Sequence, residues 1–193
     1  MERCEIEQIM KDANVLREGH FLLTSGRHSD KYMQCARVFL DTNTSEVLCK
    51  QLAELCKDDN IDVVVGPAVG AIIMAYEVSR HLGVPNFFTE RVEGKMKLRR
   101  TFEAVPGQRF LIVDDVVTTG GSIFETMECI RELGGVVAAT GSIVDRSNGT
   151  IDFGVPHRSV YCTEVLSYEQ DECPLCAAGK PLEKPGSKKI TTF

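Results

Sequence analysis

The sequence has no long block of lysine and arginine, no apolar run approaching the ~20 residues that span a bilayer, and no apolar stretch behind its first methionine. Each absence excludes a class of function. With 22 basic against 28 acidic side chains and a formal charge of -6, the chain is not expected to bind nucleic acid, which requires neutralising a phosphate backbone. Met1-Glu-Arg-Cys-Glu-Ile-Glu7 has no secretory core, so neither export nor a membrane span is expected. The eight cysteines are even in number, but without secretion they are expected to stay reduced in the cytoplasm. Two nucleotide-binding signatures are missing as well. Gly94-Lys95 runs into Met96 and Gly179-Lys180 into Pro181, so there is no G-x-x-x-x-G-K-[ST], and no G-x-G-x-x-G occurs. There is no internal repeat.

What is present is the balance of a globular chain: 193 residues, 43% hydrophobic and 26% charged, enough for one domain. Residues 4–13 read as a helix with Ile6, Ile9, Met10 and Ala13 on one stripe. Phe21-Leu-Leu23 and Tyr32-Met-Gln-Cys35 read as short strands around a polar turn. A second helix is expected from Asn43, boxed with Glu46, to Lys57. From residue 61 the texture changes to β-branched runs. Ile61–Val65, Asn86–Phe88, Phe110–Val113 and Val136–Val144 read as strands, with helices over 70–82 and 122–133, the second stopped by Gly134-Gly135. This alternation predicts an α/β fold with a doubly wound, mostly parallel sheet flanked by helices over 61–146. Residues 1–60 form a small N-terminal hood lobe and 147–193 a C-terminal extension of the same single domain, irregular beyond 177.

The most informative segment is Phe110-Leu-Ile-Val-Asp-Asp-Val-Val-Thr-Thr-Gly-Gly-Ser122. A buried strand ends in two carboxylates and turns through small residues into a helix. Ligands of open α/β sheets bind outside such strand ends. The amides of Thr118, Thr119, Gly120, Gly121 and Ser122 would face an anion at a helix N-terminus. Asp114 and Asp115 do not suit a bare phosphate, since a charge ~6 Å away costs each roughly 3 kcal/mol at an effective dielectric near 20. They suit a sugar between, whose hydroxyls donate to them and whose anomeric carbon turns cationic as a leaving group departs. A strand end of a nucleotide hydrolase is the rival reading, but the phosphate loop it requires is missing. Gly66-Pro-Ala-Val-Gly70 is a second turn from strand to helix.

Asp114 to Ser122 resembles the phosphoribosyl pyrophosphate signature of the type I phosphoribosyltransferases. The resemblance implies that Asp114 and Asp115 hold the ribose hydroxyls, that Val116, Val117, Thr118, Thr119, Gly120, Gly121 and Ser122 hold the 5′-phosphate, and that Ala68, Val69 and Gly70 form the pyrophosphate loop. A lysine common in that loop is absent here. The segment Thr89-Glu-Arg-Val-Glu-Gly-Lys-Met-Lys-Leu-Arg-Arg100 has five cations, Arg91, Lys95, Lys97, Arg99 and Arg100. It corresponds to a mobile loop that closes over the site and reaches into the partner of a homodimer, with Arg91 and Lys95 as its catalytic cations; a solvated hairpin is the plainer alternative.

Phe21-Leu-Leu-Thr-Ser-Gly-Arg-His-Ser-Asp-Lys-Tyr32 is similar to the base-recognition element of the orotate phosphoribosyltransferases, and Asp145-Arg146 to the strand end where that family places an arginine against orotate. The resemblance implies that Thr24, Ser25, Gly26, Tyr32, Thr118 and Arg146 surround the base, with the guanidinium fork meeting its carboxylate. Mg²⁺ would neutralise the pyrophosphate, bound mainly through the substrate. Transfer to a purine or another base, and a non-catalytic sensor of phosphoribosyl pyrophosphate, stay open. The tail is similar to one bacterial subgroup through Cys173-Pro-Leu-Cys176 and Lys184-Pro-Gly-Ser187. Cys173 and Cys176 offer half of a structural zinc site, with Cys162 and His157 as upstream candidates to complete it.

Overall fold

Val63, Val64 and Val65 are wholly buried, because the strand they form has helices on both faces. The computed structural model describes residues 1–23, 25–164 and 166–185. Helix α1 (Arg3–Asp12) leads into an antiparallel hairpin, β1 (Leu16–Leu22) and β2 (His28–Met33), then a 3-10 turn (Cys35–Leu40) and α2 (Thr42–Cys56). Strand β3 (Val63–Pro67), α3 (Ile72–Leu82), β4 (Asn86–Val92), β5 (Lys95–Leu98), β6 (Arg109–Val117), α4 (Gly121–Glu132), β7 (Val136–Asp145) and β8 (His157–Cys162) follow, and a one-turn helix α5 (Pro174–Ala177) lies in the tail. The sheet order is β5-β4-β3-β6-β7-β8, parallel except for β5.

Alternation sorts the strands onto two cores. Val64, Leu111 and Val113 pack with Leu48, Leu52, Met74 and Val78 of α2 and α3. Val63, Val65, Phe110 and Ile112 pack with Ile123, Met127 and Ile130 of α4. Successive side chains of a strand point to opposite faces, so a continuous apolar run can fill both. The expected doubly wound sheet is therefore present. Its α2 layer comes from the sequence read as hood, since Leu52 lies against Gly141 in β7.

Three local expectations change. Helix α2 is capped by Asp41, whose carboxylate accepts from the Thr44 N–H at 2.8 Å, rather than by Asn43 with Glu46. The cationic segment after Phe88 takes the shape of the hairpin named as the plainer alternative: β4 runs on to Val92, turns at Glu93-Gly94, and β5 pairs back with Leu98 opposite Thr89. Met96 is buried, which anchors the returning strand. Strand β8 adds a sixth member from the segment read as C-terminal extension; Val160 and Tyr161, its buried residues, were too few to give a sequence signal.

The chain runs outward from β3 to β4, and β6 pairs with the other side of β3 before the order continues through β7 and β8. The switch point lies between β3 and β6. The connections leaving their carboxyl ends diverge there and open a crevice. Gly66-Pro67 ends one strand and Asp114 to Val117 the other, so topology sets the two phosphate-like turns side by side.

Candidate active site

The turn from β6 into α4 walls a cavity of about 270 Å³ lined by Asp114, Val116 to Ile123, Arg91 and Glu125. Gly120 caps α4 with φ +74°, a left-handed conformation, and a Cβ there would lie 2.9 Å from the Phe153 ring. Glycine is needed at this position for both reasons. The first amides of α4 lack helical partners, and the residues that carry them line the same cavity together with Thr118 and Thr119. The opposite turn is tight as well. A Cβ on Gly66 would meet the Ala71 carbonyl oxygen at 2.6 Å, while one on Gly70 meets nothing within 4 Å. The peptide between Ala68 and Val69 is cis.

Burial first, and then the neighbouring Asp115 charge, push the Asp114 carboxyl up to about 7, against the Asp115 N–H, which donates to its Oδ1 at 3.1 Å and lowers it. Asp115 is also raised, mainly by burial. These are desolvated carboxylates that no cation in the described structure neutralises, the condition of groups awaiting a ligand rather than of a finished ion pair. Arg91 stands on the far wall, donating to the Gly94 carbonyl at 2.9 Å and paired with Glu125 of α4.

From the hood side, the start of the 3-10 turn that follows β2 reaches the same place. The buried Cys35 thiol is pushed up to about 12, first by burial, then by Asp115, with Arg146 opposing and Asp114 adding. Cys35, both aspartates and Arg146 therefore share one neighbourhood. Arg146 follows β7, where its backbone N–H donates to the Val117 carbonyl at 2.8 Å. Asp145 does not pair with it; its carboxylate is used by the Ser147 N–H (2.8 Å), the Ser147 hydroxyl (2.6 Å) and the Gly149 N–H (2.9 Å), which rigidifies the turn. Among the described residues, the Arg146 Nε is the one buried side-chain nitrogen or oxygen without a hydrogen-bond partner. An unpaired buried donor costs about 1–3 kcal/mol.

Tyr32 lies on β2 with its ring 5.7 Å from that of Phe21. Ser25 and Gly26 form the exposed hairpin turn, closed by the Gly26 N–H to Leu23 carbonyl bond at 2.9 Å, with Gly26 at φ +83°. Thr24 lies outside the described residues. Lys95 is not brought to the carboxylates: it lies with Glu125, Glu128 and Glu132 along α4. Lys97 faces Glu93, and Arg99 and Arg100 face Glu90. Cys35 carries no signal in the sequence, because a lone cysteine opening a 3-10 turn has no distinguishing pattern.

The zinc candidates assort differently from expectation. His157 bonds to the Thr140 and Ser142 hydroxyls at 2.9 and 3.2 Å, and Cys162 pairs with Asp145 at the end of β8. Neither joins Cys173 and Cys176, which gather instead with His20 and His28 of the hood hairpin.

A family model for the phosphoribosyl transferase domain matches residues 39–154 of the chain. The orotate phosphoribosyltransferase of Caldanaerobacter subterraneus subsp. tengcongensis is 53% identical over 190 residues, 98% of this chain and all of that one. Among solved structures, orotate phosphoribosyltransferase from Aeropyrum pernix superposes with a TM-score of 0.70 at 28% identity, covering 81% of this chain and 93% of that one. The Mycobacterium tuberculosis H37Rv enzyme in complex with 5-phospho-alpha-D-ribosyl 1-diphosphate gives 0.66 at 28% identity, over 83% and 95%.

Proposed function

The chain belongs to the phosphoribosyl transferase family, among the orotate phosphoribosyltransferases, and from that premise we propose how its own residues carry out the transfer. The reaction joins the 5-phosphoribosyl group of phosphoribosyl pyrophosphate to orotate, giving orotidine 5′-monophosphate and pyrophosphate, a step of pyrimidine biosynthesis. The bond between the anomeric carbon and pyrophosphate breaks with its electron pair leaving on oxygen, and the ring nitrogen of the base bonds to that carbon as its N–H proton passes to the departing pyrophosphate or to water.

The 5′-phosphate lies in the cavity at the start of α4, held by the amides and hydroxyls of Thr118 to Ser122. Asp114 and Asp115 accept from the ribose hydroxyls and, when ionised, stabilise the positive charge on the anomeric carbon. Pyrophosphate leaves toward the Ala68–Gly70 loop across the switch point. Arg91, already on the cavity wall, exchanges Glu125 for the leaving group. To assist, Lys95 would have to swing off α4, and Lys97, Arg99 and Arg100 would have to leave Glu93 and Glu90. Desolvated carboxylate oxygens suit a hard cation, so Asp114 and Asp115 fit Mg²⁺ held largely through the substrate; the ion when bound supplies neutralising charge to the pyrophosphate. No side chain acts as a nucleophile, so catalysis is positioning and charge stabilisation.

Arg146 carries the base assignment. Its buried, unpartnered Nε is a donor waiting for an acceptor, on a side chain whose charge reaches Cys35 as those of Asp114 and Asp115 do, and the carboxylate of orotate fits the guanidinium fork. Tyr32 and the Ser25-Gly26 turn form the other side of the base site. We place the enzyme in the cytoplasm as a homodimer. A pyrophosphate-release assay with a panel of bases tests the reading. A charge-assisted bond worth roughly 1.5–3 kcal/mol predicts at least ~10-fold preference for orotate over uracil in kcat/KM. Arg146→Ala should lose most orotate turnover and keep its affinity for phosphoribosyl pyrophosphate. Intact orotate turnover in that variant removes Arg146 from the base site.

A further inference from the structure

The side chains of His20, His28, Cys173 and Cys176 converge so that their ligand atoms all lie within 4.8 Å of one another. We propose that these four residues form a closed tetrahedral zinc site that clamps the C-terminal segment onto the hood hairpin. The site is distinct from the phosphoribosyl pyrophosphate site and independent of the proposed reaction.

The separations suit one ion. Zinc bonds of about 2.3 Å to sulfur and 2.0 Å to nitrogen place tetrahedral ligand atoms roughly 3.3–3.8 Å apart. Here the His20 Nε2 lies 3.6 Å from the Cys173 sulfur, 3.7 Å from the Cys176 sulfur and 2.9 Å from the His28 Nδ1, which is itself 3.2 Å from the Cys176 sulfur. The two thiols belong to Cys173-Pro-Leu-Cys176, where the single turn of α5, with proline at its first position, puts residues three apart on one side. All eight cysteines of the chain are free, so these two are not spent on a disulfide.

A second partner orients the His20 imidazole. The His20 Nδ1 lies 2.9 Å from the Lys180 carbonyl oxygen. A carbonyl can only accept, so in the neutral ring the proton sits on Nδ1 and the Nε2 lone pair faces the cluster. Metal-bound histidines are commonly fixed this way. Burial argues in the same direction: His20, His28 and Cys173 are 4%, 3% and 2% exposed. Apolar packing gives no reason to bury two imidazoles and a thiol edge to edge at the rim of a small hairpin, whereas ligation accounts for all of them. Two nitrogens and two sulfurs select zinc over hard cations, and four protein ligands leave no open position for chemistry, so the ion is structural.

The site also explains why the tail docks. Around it, Glu183 exchanges backbone hydrogen bonds with His20 and Leu22, each 2.8 Å, Tyr168 pairs with His28, and Arg17 donates two hydrogen bonds to the Glu183 carboxylate at 2.9 and 2.8 Å. His20 and His28 flank the turn carrying Ser25 and Gly26, so the clamp braces that turn at both ends.

The experiment is metal analysis of the full chain purified without chelator from zinc-supplemented medium, alongside Cys173→Ser/Cys176→Ser. The wild type should contain about one zinc per chain and the double variant less than a tenth of that. Cobalt substituted into the wild type should show thiolate-to-metal charge-transfer absorption and tetrahedral d–d bands. Stripping with a strong chelator should lower the melting temperature, restored by Zn²⁺ and not by Mg²⁺. These wild-type readouts stand even if the double variant does not fold. Substoichiometric zinc in the wild type, a Cys173–Cys176 disulfide in its place, or full zinc content in the double variant would overturn the site. None of these results depends on which base the enzyme uses.

Discussion

At Asp114 two requirements oppose each other. Transition-state stabilisation needs a charged carboxylate, while burial and the neighbouring Asp115 favour the neutral acid and raise its pKa to about 7. The folded pKa lies above the ordinary value of 3.8, so between about pH 4 and 7 the native state binds more protons than the unfolded chain. Stability from this group is therefore lost as pH rises through that window. Asp114→Asn should be more stable than wild type above pH 7, by about 1 kcal/mol or more, with the gain vanishing below about pH 4. The same variant should lose at least ~10-fold in kcat/KM, and wild-type kcat/KM should fall as pH drops below about 7. Chemical denaturation at pH 4 and pH 8 with a pH–rate profile measures both. Equal stability of the two proteins at pH 8 would mean that the carboxylate is not under this tension.

Among the elements, the β4–β5 hairpin is the one expected to respond to substrate. Strand β5 is an edge strand held by β4 and by the burial of Met96. The cations on and beside the hairpin are satisfied locally, Arg91 of β4 by Glu125 and Arg100, just after β5, by Glu90. These exposed pairs are worth about 0–1 kcal/mol each, little enough for a polyanion to displace. Adding phosphoribosyl pyrophosphate with Mg²⁺ should slow amide exchange over residues 95–102 by at least ~10-fold, while β3 and β6 stay protected in both states. Exchange unchanged by ligand would make the hairpin a fixed wall, and Arg91 alone would then be left to meet the pyrophosphate.

For the whole molecule the question is assembly. Ile73 and Tyr76 lie three residues apart on one face of α3 and are 55% and 59% exposed, unusual for large apolar side chains on a helix whose other face is core. Light scattering should give twice the 21.4 kDa chain mass, and Ile73→Asp/Tyr76→Asp should return it to that mass with unchanged metal content. A monomeric wild type would rule the dimer out.

Sequence alone determined the parts whose signal is local. Strand β6 with its two aspartates and glycine turn, the β-branched β3, and helices α3 and α4 with their glycine stops were legible, because burial on both faces and left-handed caps restrict residue choice at short range. So was Arg146, which sits at a strand end, although its missing hydrogen-bond partner was not. Tertiary structure decided what depends on residues far apart in the chain. It turned the cationic segment into a hairpin, because Met96 found a buried place and Arg91 met Glu125. It recruited β8, whose two buried side chains are too few to make a periodic pattern. It also replaced His157 and Cys162 by His20 and His28 beside Cys173 and Cys176. Spacing along a chain cannot reveal which histidines a tail will reach after folding back across some 150 residues; that is set by strand pairing and by where buried polar atoms can find partners.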